Sequence, residues 1–195
     1  MDAPQLGAHS ASMITRRLTP FAPVALFAAA LLSMPAEASL PVGAKAPPFV
    51  AQGALAGKPF AFNLQAALKK GPVVLYFYPK AFTSGCTQEA HAFAEASADF
   101  AKEGATVIGM SADDLPTLQR FSTEACRDKF AVASASSVVI KGYDVALSWP
   151  LGSITNRTSY VIGQNGTIVM THSNMDWRDH VRLTLEAVRK LRRGS

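Results

Sequence analysis

Apolar positions between residues 40 and 193 fall into two rhythms, one continuous and one helical. Val73-Val-Leu-Tyr-Phe-Tyr78 is an unbroken β-branched and aromatic run, and Ala105-Thr-Val-Ile-Gly-Met-Ser111 is a second. Both have the pattern of central strands covered on two faces. Between them, Thr83 to Lys102 places Cys86, Ala90, Phe93, Ala94 and Ala101 at helical spacing, with Gly104 positioned to end the helix. These segments predict a strand-helix-strand crossover. Pro116 opens a second predicted helix that runs to about Lys129, with Leu118, Phe121 and Ala125 on one stripe. Ser159 to Gly163 and Thr167 to Thr171 flank Gln164-Asn165-Gly166, so an antiparallel hairpin is expected there. A closing helix spans Asp176 to Arg193, with Trp177, Val181, Leu185, Val188 and Leu191 inward. The inventory predicts an α/β fold, a central mixed sheet flanked by helices on both faces.

The first 38 residues follow a different rule. Arg16 and Arg17 precede a stretch without charge from Leu18 to Ala36, centred on the apolar run Val24 to Leu32. Such a run suits the h-region of a secretory signal and is short for a membrane span, and Pro20, Pro23 and Pro35 interrupt it further. Ala36-Glu37-Ala38 supplies a small-x-small cleavage pattern. Residues 1–38 are therefore expected to be a cleaved signal peptide and residues 39–195 a single exported domain, in a bacterial periplasm and free of the membrane once cleaved. The twin arginines are followed by Leu18-Thr19-Pro20, which leaves the export route open, and Met13 is an alternative start.

Composition narrows the function classes. With 49% apolar and 17% charged residues, the 195-residue chain is neither a disordered tail nor a low-complexity segment. Two cysteines exclude a four-thiolate zinc site, so sulfur chemistry involves one pair at most. The net charge is +5, and six of the 19 basic residues lie in the closing helix (Arg178, Arg182, Arg189, Lys190, Arg192, Arg193). Cations near a helix C-terminus complement its dipole, and no nucleic-acid partner is expected. His91 has no carboxylate or second histidine at metal spacing, and neither a metal nor another cofactor is expected.

Candidate chemistry gathers where the first central strand ends. Pro79-Lys-Ala-Phe-Thr83-Ser-Gly-Cys86 sets a cysteine at the opening of a helix, where unpaired amides and the dipole favour a thiolate. Thr83 lies one turn earlier, within reach of the sulfur or of whatever the sulfur attacks, and Pro79 is placed to wall the pocket.

Pro-x-x-x-Thr-x-x-Cys after Tyr76-Phe77-Tyr78, followed by Thr87-x-Glu89, resembles the peroxiredoxins, thiol peroxidases of the thioredoxin-like fold. The similarity is greatest to their Q subgroup, the bacterioferritin-comigratory proteins. Val42-Gly43-x-x-Ala46-Pro47, Gly109-x-Ser111-x-Asp113, Tyr143-Asp-Val145 and Arg157-Thr158-Ser159-Tyr160 extend it over nearly all of residues 40–193. The resemblance implies reduction of hydrogen peroxide and organic hydroperoxides by Cys86, the peroxidatic cysteine, which attacks the terminal peroxide oxygen and becomes a sulfenic acid. It implies that Arg157 supports the thiolate and polarises the O–O bond, that Thr83 and the Cys86 amide align the oxygens, and that Glu89 fixes the arginine. A thioredoxin-like reductant and a monomeric state are likewise implied.

Many Q-type members carry a second cysteine five residues after the first, where this chain has His91. Others place it in the next helix, and on that resemblance Cys126 is the resolving cysteine of an intramolecular disulfide. The alternative is a buried, non-resolving Cys126 with a one-cysteine cycle. The loop Val132-Ala-Ser-Ala-Ser-Ser137 departs from the family pattern, which leaves its shape open. Glutathione-peroxidase-like chemistry is a weaker alternative, because that group's Trp-Asn-Phe element has no counterpart here and Trp149 and Trp177 stand in other contexts. A Cys-x-x-Cys exchanger is disfavoured by Thr83 and Gln88 on either side of Cys86, and an exported binding or holdase module without turnover is the non-enzymatic alternative.

Overall fold

The computed structural model describes residues 39–149 and 152–194, so the expected leader lies outside the described residues. The elements run β1 (Val50–Leu55), β2 (Lys58–Asn63), α1 (Leu64–Leu68), β3 (Val73–Phe77), α2 (Ser84–Lys102), β4 (Thr106–Ser111) and α3 (Leu115–Glu124). They continue with β5 (Ala131–Ser134), α4 (Ser137–Gly142), β6 (Ala146–Trp149), β7 (Gly152–Thr155), β8 (Thr158–Ile162), β9 (Ile168–Ser173) and α5 (His180–Arg193).

Seven strands form one sheet in the order β2-β1-β5-β4-β3-β8-β9, and β6 pairs with β7 apart from it. β3, β4 and β5 are parallel, whereas β8 is antiparallel to β3, so the sheet is mixed as expected. Alternation along β3 divides two cores. Val73, Leu75 and Phe77 pack with Leu64 and Ala67 of α1 and with Val139 and Ile140 of α4. Val74, Tyr76 and Tyr78 pack with Phe93 of α2, Phe121 of α3 and Val188 of α5. Burial of each large apolar side chain contributes about 2 kcal/mol. The central strands are the best specified for this reason, and their continuous apolar runs were legible.

Several boundaries differ from the sequence expectation. α3 ends at Glu124 rather than near Lys129, because Arg127 and Asp128 take left-handed backbone conformations (φ 52° and 59°) that no α-helix continues. Cys126 therefore sits in the turn after the helix, its amide donating to the Phe121 carbonyl. In α2, Phe100 and not Ala101 faces inward. A 3-10 turn over Trp177–Asp179 precedes α5. The β1–β2 hairpin, β5 and α4 were not anticipated, since their short segments are rich in Ala, Gly and Ser and carry little periodic signal. β5 and α4 give the divergent 132–137 segment its shape.

Register places the chemistry. β8 begins at Thr158 opposite Phe77, the last residue of β3, so Arg157 is delivered to the same sheet edge as the loop leading into α2. That edge is the carboxyl end of the parallel strands, where open α/β sheets offer a crevice for ligands.

Candidate active site

The turn from β3 to α2 is clamped from several sides. Thr155 Oγ1 donates to the Tyr78 carbonyl at 2.6 Å, and the Ala81 amide donates to Asp113 Oδ2 at 2.7 Å, beyond the end of β4. Pro79 forms the bend directly after Tyr78 and is half-buried. Phe82 has φ 64°, an uncommon conformation for an aromatic residue that costs about 1–3 kcal/mol. Its ring meets Phe121 edge-on and lies beneath the Arg120 guanidinium, which holds the strained loop in place.

Thr83 caps α2 by position, and the first intrahelical bond runs from the Thr87 amide to the Thr83 carbonyl. The amides of Ser84, Gly85 and Cys86 precede that bond and lie at the positive end of the helix dipole. Cys86 Sγ is in this first turn, 2% exposed, and accepts a hydrogen bond from Arg157 Nη2 at 3.4 Å. Arg157 Nε donates to the Met175 carbonyl at 2.9 Å, and Nη1 donates to Glu89 Oε2. The guanidinium is thus fixed on three sides and is 5% exposed. Gly85 gives it room, since a Cβ there would stand 3.3 Å from Arg157 Nη2 and 3.8 Å from Trp177 Cδ1.

The Thr83 hydroxyl is not bonded to Cys86 Sγ. It donates to the Lys80 carbonyl at 3.0 Å and is exposed, so it closes the loop on itself. Cys126 is fully buried and free, in the same apolar core as Cys86, and burial pushes its thiol well up. Among the described residues no group of three or more His, Cys, Asp or Glu side chains is arranged to hold a metal ion.

Residues 42–171 match the AhpC/TSA family. A chloroplastic peroxiredoxin Q of Sedum lineare is 30% identical over 77% of this chain and 78% of its own length. That of Suaeda salsa is 33% identical over 66% of this chain, which spans only 61% of the relative's length. The solved peroxidoxin BcpB of Mycobacterium tuberculosis superposes with a TM-score of 0.70 at 27% identity, covering 77% of this chain and 97% of that one. The chain belongs to the AhpC/TSA family, in its peroxiredoxin Q group.

In this peroxiredoxin the positions singled out from sequence separate by location. Cys86, Arg157 and Glu89 converge on one buried cluster, Pro79 and Thr83 line the loop beside it, and Cys126 lies apart beyond α3. Glu89 is fully buried, and burial pushes its carboxyl up to about 8 although Arg157 pulls the other way. Sequence reasoning missed His180, which is buried at the start of α5 with Nδ1 2.8 Å from Ser159 Oγ and 3.7 Å from Glu89 Oε1. The available signal was a histidine on the inward stripe that continues through Thr184 and Val188. Asp113, which clamps the loop, stands in the Gly109-x-Ser111-x-Asp113 motif of the resemblance, which gave it no role.

Proposed function

We propose that this chain is a thiol peroxidase that reduces hydrogen peroxide and organic hydroperoxides at Cys86. The observation that carries the reading is the Arg157 guanidinium, 3.4 Å from Cys86 Sγ at the first turn of α2. Cys86 is the peroxidatic nucleophile. Its thiolate attacks the terminal peroxide oxygen, the O–O bond breaks, and a sulfenic acid and water or an alcohol result. Arg157 and the helix amides stabilise the negative charge that shifts from sulfur to the departing oxygen. Glu89 positions Arg157, Pro79 and Thr83 shape the approach, and Cys126 resolves the sulfenic acid as an intramolecular disulfide. A thioredoxin-like dithiol then regenerates the pair, and the protein acts as a monomer. The purified chain is expected to consume peroxide with dithiothreitol and with thioredoxin, followed by loss of peroxide in a dye-coupled assay. Cys86→Ser is expected to reduce consumption to the uncatalysed rate, and a Cys86→Ser protein with wild-type turnover defeats the proposal.

Residues 1–38 act as a cleaved secretory signal that delivers residues 39–195 to the periplasm. The short apolar run and the Ala36-Glu37-Ala38 pattern support this. No helix among the described residues is long and apolar enough to cross a membrane. The chloroplastic relatives bring in an organellar transit segment as the second reading of the same residues. Protein from the native host is expected to begin at or near Ser39 by N-terminal sequencing, and a chain still carrying Arg16 and Arg17 refutes the signal peptide.

A further inference from the structure

Behind the arginine the cluster continues into groups that peroxide chemistry has not yet used. Glu89 Oε2 is bonded to Arg157, but Glu89 Oε1 is buried without a hydrogen-bond partner. An orphaned buried carboxylate oxygen is costly and calls for a physical reason. The basic nitrogen beside it is His180 Nδ1, at 3.7 Å. The other ring nitrogen, Nε2, lies 2.9 Å from the Asn174 carbonyl, which only accepts. Nε2 therefore carries the hydrogen of the neutral ring, Nδ1 is an acceptor, and the Ser159 hydroxyl donates to it.

The tautomer decides how Glu89 is best held. An ionised Oε1 would face the electron-rich Nδ1, whose lone pair already takes the Ser159 hydroxyl, and would have no donor to compensate its charge, whereas a protonated Oε1 carries no charge to compensate. Charge counting leads to the same state. Arg157 brings one positive charge into a buried site with two candidate anions, Cys86 and Glu89, and an unbalanced buried charge is expensive. We propose that His180, locked as the Nε2–H tautomer by Asn174, is a positioning residue that keeps Glu89 protonated in the reduced enzyme, so that the Arg157 charge is committed to the Cys86 thiolate.

This inference rests on the peroxidase reading of Cys86. The proton count then balances through the chemical step. Cys86–S⁻ and ROOH give Cys86–SOH and RO⁻, with sulfur oxidised and the peroxide reduced by two electrons. RO⁻ takes up one proton and becomes ROH. The sulfenic acid no longer needs a counter-charge, so Glu89 gives one proton up and pairs with Arg157 as the carboxylate. The buried charge stays at zero on both sides of the step.

The direction of the shifts agrees with this state. Burial pushes Glu89 up to about 8 and lowers His180 to about 4, which leaves the acid protonated and the imidazole neutral at pH 7. The titratable and charged groups facing this pair are Cys86 of α2, Arg157 before β8, Tyr76 of β3, His172 of β9 and Asp176 before the 3-10 turn. His172 packs edge-on to His180 with ring centroids 4.5 Å apart.

Two measurements on the reduced full chain test the inference. Carboxyl ¹³C shifts in glutamate-labelled protein follow Glu89 directly, assigned by its disappearance in Glu89→Gln, and stopped-flow rates from pH 5 to 10 follow peroxide attack. Reduced wild type is expected to show Glu89 titrating near pH 8, with a fall in rate over the same range as the ionised carboxylate competes for Arg157. In His180→Phe the electron-rich Nδ1 that disfavours the carboxylate is gone while the surroundings stay apolar, so both midpoints should move down by about one pH unit or more. Glu89→Gln should lose the alkaline fall altogether. Glu89 titrating below pH 5.5 in reduced wild type overturns the inference, as do midpoints in His180→Phe that match wild type. If His180→Phe does not fold, Ser159→Ala decides it: with its donor removed, Nδ1 is free to accept the Glu89 proton and both midpoints should rise, and midpoints that match wild type overturn the inference. The carbon titration does not depend on turnover, so an inactive wild-type protein counts against the peroxidase reading alone.

Discussion

Arg157→Met is expected to slow peroxide reduction by about 10³-fold, close to 4 kcal/mol of barrier, in a protein that still folds. Arg157 is the cation in contact with Cys86 Sγ, and it donates to a sulfur buried at the start of α2. Met fills a similar volume without the charge or the hydrogen-bond fork. A fixed donor aimed at developing negative charge in a water-poor site is worth far more than the same contact at a surface. Folding survives because Glu89 escapes an unpaired buried charge by taking a proton, a state toward which burial already pushes it. Single-turnover stopped-flow, with Cys86→Ser as the zero, measures the change. A rate within tenfold of wild type keeps Cys86 as nucleophile and removes the arginine from the chemistry.

Cys126→Ser is expected to consume one equivalent of peroxide and then stall, with turnover on a dithiol donor falling by about 10²-fold once the intramolecular partner is gone. In the reduced protein the two thiols are sealed, Cys86 at 2% exposure and Cys126 at 0%, one in the first turn of α2 and one beyond the end of α3. Both sulfurs are buried, so one of these turns has to open before a peroxide or a donor dithiol can reach them. The first turn of α2 is the segment built to open. It follows a left-handed Phe82, whose strain is relieved when the turn unwinds, and its Thr83 side chain makes no capping bond to the helix. Peptide mapping of wild type after stoichiometric peroxide should give one cross-linked peptide containing both cysteines and no dimer on a non-reducing gel. If Cys126 stays titratable after Cys86 is oxidised, the cycle uses one cysteine and an external thiol.

The reach of sequence reasoning differs between neighbouring residues for physical reasons. Val73 to Phe77 and Thr106 to Ser111 were legible because a strand buried on both faces leaves an unbroken apolar run. The hairpin of β8 and β9 was legible from Asn165-Gly166, and Gly166 takes the left-handed conformation (φ 76°) that such a turn requires. α3 was overextended because Arg127 and Asp128 have no side-chain property that announces two successive left-handed residues. Helical spacing sets Thr83 near the sulfur, whereas the Lys80 carbonyl sets where its hydroxyl points before a peroxide is bound.

By itself the sequence determined the class of fold, the cysteine at a strand-to-helix turn and the presence of a carboxylate one turn later on the same helix. Those features are local, written in periodicity and spacing over fewer than about 20 residues. The resemblance named Arg157 as the support of the thiolate, tertiary structure brings this residue, 71 positions from Cys86, within a hydrogen bond of the sulfur, and tertiary structure alone decided that His180 closes the far side of Glu89. Both depend on the antiparallel register of β8 against β3 and on the docking of α5 over the same core, and no local pattern encodes either. The charge state of the site follows from that assembly, because desolvation is a property of everything packed around a group rather than of the group's own neighbours in the chain.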